Sequence, residues 1–375
     1  MALCLLVFGR VCIPCVPERR TCRARPERRP EEDIAMRSTG RLKGLALASA
    51  MVLASATAAS AFTACQVTDT GGIDDNSFNQ TAWKGIQDAE AGLGIDARFL
   101  ESQAETDYMP NINSLLGECD LIITVGFLLG DATEEAAEAN PGQKFSIVDF
   151  AYDPALDNVV GQVFATDQAA FLAGYLAAGM TETGILGTFG GINIPPVTIF
   201  MNGFVRGADY YNDQKGTEVR VLGWDPDTEQ GLFTNNFESL DDGRAFAQNL
   251  YDEGADIVLP VAGPVGLGSA ALADELGTDE LKIIGVDADL YFTDPEKQHV
   301  YLTSIMKRMD STVYQVIEAA MEGSFEGGVI VGTLENEGVG LSPYHDFDDA
   351  VPDELKAEIE AIRQAIIDGE IDVSG

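Results

Sequence analysis

Short apolar runs alternate with longer amphipathic stretches over most of the chain. The stretches have the spacing of helices that pack on a sheet, as in 77–93, 198–212 and 353–367. Apolar strands joined by helices are typical of parallel sheets covered on both faces, so the pattern predicts an α/β fold. The strand-like runs are FTACQVTD, IDARFLES, CDLIITVG, KFSIVD, NVVGQVF, GILGTFG, EVRVLGW, ADIVLPVA, KIIGVD, VYLTSIM and GVIVG.

An apparent break near Asp167 divides these elements into two groups. The break predicts two doubly wound lobes with parallel sheets, joined by a hinge. No low-complexity linker separates the groups, so the tail is expected to return to the lobes through several crossovers. The first lobe is expected to contain residues 62–167 and about 289–310. The second is expected to contain residues 168–288 and about 311–375.

Residues 36–61 have the three parts of a secretory signal peptide. Basic residues precede an Ala-rich apolar run that ends in Ala59-Ser60-Ala61, so cleavage is expected before Phe62. A permanent membrane anchor is the alternative, but the run is short for a span and rich in Ala, Ser and Thr. We therefore expect an exported protein, in the periplasm or at the outer face of the cell membrane.

Residues 1–35 have the composition of neither a domain nor a leader. The simplest interpretation is that translation begins at Met36 and that 1–35 is an extension from a wrongly assigned start codon. The alternative is a metal-binding N-terminus, because Cys12 and Cys15 have CxxC spacing. A single CxxC without a second pair or nearby histidines is weak evidence for a metal site.

Two cysteines remain beyond the signal peptide, Cys65 and Cys119. Each opens an apolar strand, and an exported protein meets an oxidising environment, so a Cys65–Cys119 disulfide is predicted. Lipidation of Cys65 is the alternative, because the sequence Phe62-Thr63-Ala64-Cys65 vaguely resembles a lipoprotein box. Lipid anchoring is not favoured, since Cys65 lies inside the first strand and a lipid anchor usually needs a flexible tether ahead of the domain.

The chain is strongly acidic, with 61 acidic and 23 basic residues and a net charge of −38. Residues 62–375 hold 56 of the acidic and 13 of the basic residues, a net charge of −43. Such a chain repels phosphate backbones, which excludes nucleic acid as a partner. Solubility in a salty environment explains the acidity, and a charge-driven function such as calcium buffering is the alternative.

Polar residues follow several of the predicted strands, at the edge where open parallel sheets bind ligands. They predict one polar cleft. Helix capping is the alternative role of such aspartates, and it is favoured for Asp131, which precedes an Ala- and Glu-rich helix. The residues at or just after strand ends are Asp69, Phe127, Asp131, Asp149, Trp224, Gly263 and Asp287.

Phe78 and Asn79 open a predicted helix above this cleft. An aromatic ring followed by an amide can stack on a planar ring and hydrogen-bond its edge. A core phenylalanine and a first-turn asparagine are the alternative, and composition does not decide between the two. Asp75 or Ser77 is expected to cap this helix.

The residue sets of common hydrolases and metalloenzymes are missing from the sequence. It has two histidines, His299 and His345, and neither HExxH nor GxSxG occurs. With so few histidines and cysteines a zinc site is not expected. Paired carboxylates are frequent, but none is singled out as a glycosidase pair. We therefore expect a binding protein, not an enzyme, with no metal and no cofactor.

The segment 69–79, DTGGIDDNSFN, together with Trp83-Lys84-Gly85, resembles the opening of the basic membrane protein family, also called purine-nucleoside-receptor-like proteins. Members are substrate-binding components of ABC importers, and the resemblance implies a type I periplasmic-binding-protein fold. It covers essentially residues 62–370. Further matching segments, in order, are 124–127, 170–175, 203–204, 261–263, 284–287 and 302–308.

The resemblance implies how the cleft residues bind a nucleoside. Phe78 would stack on the base. Asn79 and Asp149 would bind the edge of the base, with Asp131 or Asp153 as alternatives to Asp149. The residues implied to hold the ribose are Asp69, Gly263, Asp287 and Lys307.

One feature of the family is absent from the expected position. Members often have a second aromatic ring near the strand before the 261–263 turn, but that strand reads Ile257-Val258-Leu259-Pro260. Trp224 or another aromatic residue in the cleft is expected to take its place.

These observations predict an exported monomer that binds a nucleoside, in particular a purine nucleoside, and delivers it to an ABC permease. A protein that binds a sugar or another small ligand, or a sensor, is the alternative. An exported enzyme acting on nucleosides is less favoured, because no catalytic set is present.

Overall fold

A computed structural model describes residues 61–373 of the chain. The predicted extension and nearly all of the predicted signal peptide lie outside these residues. Within them, no helix is both long enough and apolar enough to cross a membrane.

The strands are β1 Thr63–Val67, β2 Asp96–Leu100, β3 Leu121–Val125, β4 Lys144–Val148, β5 Val159–Phe164, β6 Ile185–Gly190, β7 Arg220–Leu222, β8 Trp224–Asp225, β9 Gln230–Gly231, β10 Ile257–Val261, β11 Lys282–Asp287, β12 Tyr301–Lys307, β13 Gly328–Gly332 and β14 Val339–Leu341. The α-helices are α1 Phe78–Leu93, α2 Tyr108–Leu115, α3 Gly130–Ala139, α4 Thr166–Met180, α5 Pro195–Lys215, α6 Leu240–Asp252, α7 Gly266–Leu276, α8 Leu290–Thr293, α9 Met309–Glu322 and α10 Asp353–Ile367.

The first lobe is built on a six-stranded sheet in the order β13-β5-β4-β3-β1-β2, in which all neighbours are parallel. Helices α1 and α9 cover one face, and α2 and α3 cover the other. The central strands β1 and β3 are buried along their whole length, whereas the edge strand β2 is largely exposed. This burial explains why the central strands are continuous apolar runs.

The second lobe has the same architecture. Its sheet has the order β14-β12-β11-β10-β6-β7, and it is parallel except for β14, which runs antiparallel to β12. Helices α4, α5 and α10 cover one face, and α6 and α7 cover the other. The predicted pair of doubly wound α/β lobes is therefore confirmed.

The tail differs from the prediction at two steps. Strand β12 pairs with β11, so the segment predicted as about 289–310 of the first lobe lies in the second sheet. Helix α9 packs on α1 and β13 pairs with β5, so the first part of the segment predicted as about 311–375 of the second lobe lies in the first lobe. Finally β14 and α10 complete the second lobe. The chain thus passes between the lobes after β5, β12 and β13, which explains why the lobes form a hinged pair.

A disulfide joins Cys65 and Cys119, as predicted, with 6.1 Å between the two Cα atoms. Cys65 lies in the middle of β1, and Cys119 lies just before β3, which pairs with β1. Both residues are buried in the core beneath α2 and α3. A cysteine that is buried inside a strand and oxidised offers no thiol to a lipid, which supports the disulfide over lipidation.

We expect this disulfide in the exported protein. Proteolysis of unreduced, alkylated protein should give a peptide pair linked through Cys65 and Cys119, and reduction should separate the pair. The bridge closes a sequence separation of 54 residues. Replacing both cysteines with alanine should therefore lower the free energy of unfolding by about 2–5 kcal/mol in denaturant titrations. A peptide carrying an acylated or alkylated Cys65 would contradict the expectation.

Candidate ligand-binding site

A cavity lies where the carboxyl ends of both parallel sheets face each other. The first lobe contributes Asp69, Gly71, Asp75, Phe78, Asn79, Phe127 and Asp149, and the second contributes Val197, Phe200, Phe237, Gly263, Asp287 and Lys307.

Lys307 contacts acids from both lobes. Its Nζ lies 2.6 Å from Oδ2 of Asp149, which follows β4 of the first sheet. The same Nζ lies 3.7 Å from Oδ1 of Asp287, at the end of β11 in the second sheet. The lysine side chain is 3% exposed, so these partners replace the water that the ammonium group has lost.

Aromatic rings complete the surroundings of this ammonium group. Nζ lies 4.9 Å from the centroid of the Phe78 ring, 5.5 Å from that of Phe164 and 5.6 Å from that of Phe200. Rings at these distances attract a cation through their negative faces. Lys307 therefore connects the apolar and the acidic parts of the cleft.

Both acids that contact Lys307 have left-handed backbone conformations. The φ angle is 66° at Asp149 and 69° at Asp287. Aspartate tolerates this region better than most residues, but each instance costs energy and is typical of functional sites. The turn directs each carboxylate from its strand end into the cleft. Burial raises the pKa of both acids above the ordinary value for aspartate, and the charge of Lys307 offsets only part of this increase.

A second polar cluster is formed around Asn79 at the start of α1. Its Nδ2 donates to Oδ1 of Asp69 at 2.7 Å and to Oδ2 of Asp75 at 3.1 Å. Gly71 allows the close approach, because a Cβ there would lie 3.1 Å from Nδ2 of Asn79. Asp75 also accepts the backbone N–H groups of Asn79 and Gln80, so it satisfies the helix start.

Ser77 precedes α1, but its hydroxyl does not cap the helix. It lies across the cleft at hydrogen-bonding distance from two acceptors of the second lobe, the carbonyl of Val286 and Oδ2 of Asp287, each at 3.1 Å. Of the two predicted caps, Asp75 therefore serves the helix, and Ser77 serves the contact between the lobes.

Burial strongly perturbs the acids of the Asn79 cluster. Desolvation raises the pKa of Asp69 to about 6 against the opposing effect of the hydrogen bond from Asn79. Desolvation raises the pKa of Asp75 to about 7, although three backbone N–H groups favour its charged form. Within residues 61–373, no cluster of His, Cys, Asp and Glu is arranged to hold a metal ion. The site thus offers hydrogen-bonding groups and aromatic rings to a ligand.

Residues 62–375 match the model of the Bmp family, which is described as ABC transporter substrate-binding protein PnrA-like. This chain belongs to the Bmp family. It is therefore an ABC transporter substrate-binding protein, a class that has a ligand and a permease partner in the membrane.

Named relatives agree with the family. A Lactococcus lactis protein named ABC transporter nucleoside-binding protein BmpA is 32% identical, and the match covers 82% of this chain and 87% of the relative. Basic membrane protein A of Borreliella burgdorferi is 31% identical, with 80% and 84% covered. A Pyrococcus abyssi relative at 32% identity, with 75% and 68% covered, is named a lipoprotein.

Solved structures agree with the fold. An ABC transporter solute-binding protein from Aeropyrum pernix has a TM-score of 0.76 at 27% identity, over 83% of this chain and 92% of that one. A solute-binding protein from Bacillus halodurans with bound myo-inositol has a TM-score of 0.55 at 14% identity, over 78% and 97%, and shows the fold alone. The chain has the type I periplasmic-binding-protein fold.

The structure brings together most of the residues predicted for this Bmp-family site. Those that line the cavity are Asp69, Phe78, Asn79, Phe127, Asp149, Gly263, Asp287 and Lys307.

Three other candidates lie elsewhere. Asp131 is exposed in the first turn of α3 and makes no capping hydrogen bond, so neither of its predicted roles is seen. Asp153 is exposed and does not line the cavity. Trp224 is buried, where its Nε1 donates to Asn202 and its ring packs against Phe233.

The sequence reasoning missed several residues of this Bmp-family cleft. The sequence pattern predicts only helix capping for Asp75, yet this residue lines the cavity. Phe200 has the spacing of a helix core residue, which hides its contact with the cleft. Phe237 lies in an irregular segment before α6 and had no pattern to identify it. It is a half-buried cavity residue, and it replaces Trp224 as the candidate for the second aromatic ring.

The ligand-free protein is expected to lose stability as the pH rises from about 4 to 7. The ordinary pKa of 3.8 applies to the unfolded chain, and Asp69 titrates at about 6 in the folded protein. Between these values only the folded state keeps the proton, so each increase in pH favours unfolding. For Asp69 alone the effect is on the order of 3 kcal/mol.

Asp69→Asn tests this directly, because an amide oxygen can still accept the hydrogen bonds from Gly71 and Asn79. Its melting temperature should exceed that of the wild type at pH 7.5, and the difference should shrink at pH 4.5. Asp74→Asn, the exposed neighbour, is the matched control and should show neither effect. Parallel melting curves for Asp69→Asn and the wild type would contradict the assignment.

Proposed function

We propose that this protein is the extracytoplasmic component of an ABC importer and that it binds a nucleoside, in particular a purine nucleoside, between its lobes. In this proposal it acts as an exported monomer that delivers the ligand to the permease. The named nucleoside-binding relative in Lactococcus lactis supports the ligand class.

The combination of an accessible ring with two polar clusters carries the proposal. Phe78 lines the cavity and is only half-buried, which leaves part of its ring accessible to a ligand. One cluster surrounds Asn79, and the other is formed by Lys307 with Asp149 and Asp287. Together they offer donors and acceptors that suit both the polar edge of a base and the hydroxyls of a sugar. A nucleoside has an aromatic ring with a polar edge and a sugar, which matches this set.

The individual roles follow from these positions and from the family resemblance. Phe78 stacks on one face of the base, and Phe237, whose ring packs on Gly191, is the candidate for the other face. Asn79 and Asp149 bind the edge of the base. The residues proposed to hold the ribose are Asp69, Gly263, Asp287 and Lys307.

The proposed binding residues come from both lobes, which explains how a ligand would close the cleft. Phe78 and Asn79 belong to the first lobe, and Asp287 and Lys307 belong to the second. A ligand that contacts both sets stabilises the closed arrangement of the lobes. The permease can then distinguish loaded from empty protein by the relative orientation of the two lobes.

Isothermal titration with inosine, guanosine, adenosine and ribose tests the proposal. The wild type should bind at least one purine nucleoside much more tightly than ribose. Phe78→Ala should weaken nucleoside binding by about 1–3 kcal/mol, which is roughly 5- to 150-fold, because base–aromatic stacking is lost.

Phe292→Ala is the control, because this ring is 69% exposed and lies outside the cavity. It should bind as the wild type does. If ribose binds as tightly as every nucleoside, the protein is a sugar receptor and the proposal is wrong. Unchanged nucleoside binding by Phe78→Ala would remove Phe78 from the site.

Charge should exclude phosphorylated ligands. Asp69, Asp75, Asp149 and Asp287 line the cavity, and Lys307 is the one cation among its described lining residues. A phosphate dianion here meets like charges in a poorly solvated space, which costs several kcal/mol. We expect inosine 5′-monophosphate to bind at least about 100-fold more weakly than inosine. In the same titrations, 5′-O-methylinosine is the control, because it carries a substituent at the 5′ position without a charge. An affinity for the monophosphate comparable to that for inosine would contradict the argument.

A further inference from the structure

The side-chain amide of Asn79 has one atom, Oδ1, that is left to bind a ligand. Both hydrogens of Nδ2 are directed at carboxylates, 2.7 Å from Asp69 and 3.1 Å from Asp75. Oδ1 is buried and has no hydrogen-bond partner among the described residues. Asn79 is buried and lines the cleft, so a ligand bound in the cleft is the candidate partner for this oxygen. An unpaired buried acceptor is costly, and a hydrogen bond that forms on binding removes this cost.

Asp75 is itself held in a fixed position. Its Oδ1 accepts the backbone N–H groups of Ser77 at 3.0 Å and Gln80 at 3.1 Å. Its Oδ2 accepts the backbone N–H of Asn79 at 2.8 Å, and Nδ2 of the same residue takes the remaining position. Every group around this carboxylate is a donor. Its orientation is therefore set by the backbone at the start of α1.

This arrangement determines which way the amide points. In their ionised forms Asp69 and Asp75 only accept hydrogen bonds, so rotating the amide by 180° would place Oδ1 against their oxygens. Asp69 alone accepts only one of the two N–H groups of the Asn79 side chain. Asp75 accepts the other, so both N–H groups are held by carboxylates.

We propose that Asp75 is a positioning residue that locks the Asn79 amide with its oxygen toward the ligand, so that this part of the cleft selects a ligand N–H or O–H donor. The inference rests on the proposed function, and it concerns a residue to which that function gives no ligand contact. In a nucleoside the donor is an N–H group on the edge of the base. Inosine and adenosine carry their donor and acceptor at exchanged positions on this edge, so a locked amide responds to them differently from one that can rotate.

A double-mutant cycle with inosine as the probe tests the inference. The four proteins are the wild type, Asp75→Asn, Asn79→Ala and the double variant. If Asp75 acts through Asn79, Asp75→Asn should weaken inosine binding by about tenfold in the presence of Asn79 and by less than twofold in its absence. A merely structural role for Asp75 would give equal losses in both backgrounds, and that result would overturn the inference.

Selectivity provides the second measurement. The ratio of inosine to adenosine affinity should change by about tenfold in Asp75→Asn, because its amide partner no longer fixes Asn79. Asp74→Asn removes the same charge from an exposed neighbour and should keep the wild-type ratio. An unchanged ratio in Asp75→Asn would overturn the inference while leaving the proposed function in place. A wild type that binds no nucleoside would overturn both.

Nuclear magnetic resonance of the wild type keeps the inference testable if Asp75→Asn fails to fold. The side-chain amide of Asn79, assigned through Asn79→Gln, should show two slowly exchanging protons in the ligand-free protein. Both protons should stay protected when inosine binds. Rapid exchange of either proton in the free protein would show that the amide is not locked and would overturn the inference.

Discussion

The buried ion pair between Lys307 and Asp149 is the interaction on which the cleft depends. The lysine ends β12 of the second sheet and the aspartate follows β4 of the first, so each lobe supplies one partner. Asp287 shares the same ammonium group. Removing water from three charges is costly unless each keeps a partner. The pair therefore persists in the cleft only while the two strand ends stay close. The electrostatics of the site thus depend on the relative position of the two lobes.

The position of Lys307 beside a crossover reconciles this requirement with a hinge. The chain leaves β12 directly after Lys307 and enters α9 of the first lobe at Met309. Neighbouring crossovers are tied together, since the N–H of Ala165 donates to Gly332 at 2.8 Å and that of Arg308 donates to Gly338 at 2.9 Å. Residues near a hinge move least when lobes rotate about it. The ion pair can thus be kept while the outer part of the cleft opens to admit a ligand.

The strands and most of the polar site could be predicted because both follow from local rules. Buried parallel strands are apolar runs, and the side chains that reach a ligand follow their carboxyl ends, which identifies Asp69, Asp149 and Asp287. The order of the tail could not be predicted, because β12 and β13 are similar short runs and their pairing partners depend on contacts distant in sequence. Phe237 could not be found either, since an irregular segment has no periodicity to interpret. Trp224 is the converse case. It lies at a strand end, as the site residues do, but its side chain packs into the second lobe.

The acids that affect the stability of the free protein are the ones that we propose to act in ligand selection. Burial raises the pKa of Asp69 to about 6 and that of Asp75 to about 7, which means that their ionised forms destabilise the empty fold at neutral pH. The unpaired Oδ1 of Asn79 adds a further cost. A neutral ligand with hydroxyl and N–H donors can pair with Asp69 and with Oδ1 of Asn79, whereas an anion adds repulsion. In the proposed site, binding stabilises the folded state in proportion to how well the ligand satisfies these groups, so the instability of the empty cleft would set its preference among ligands.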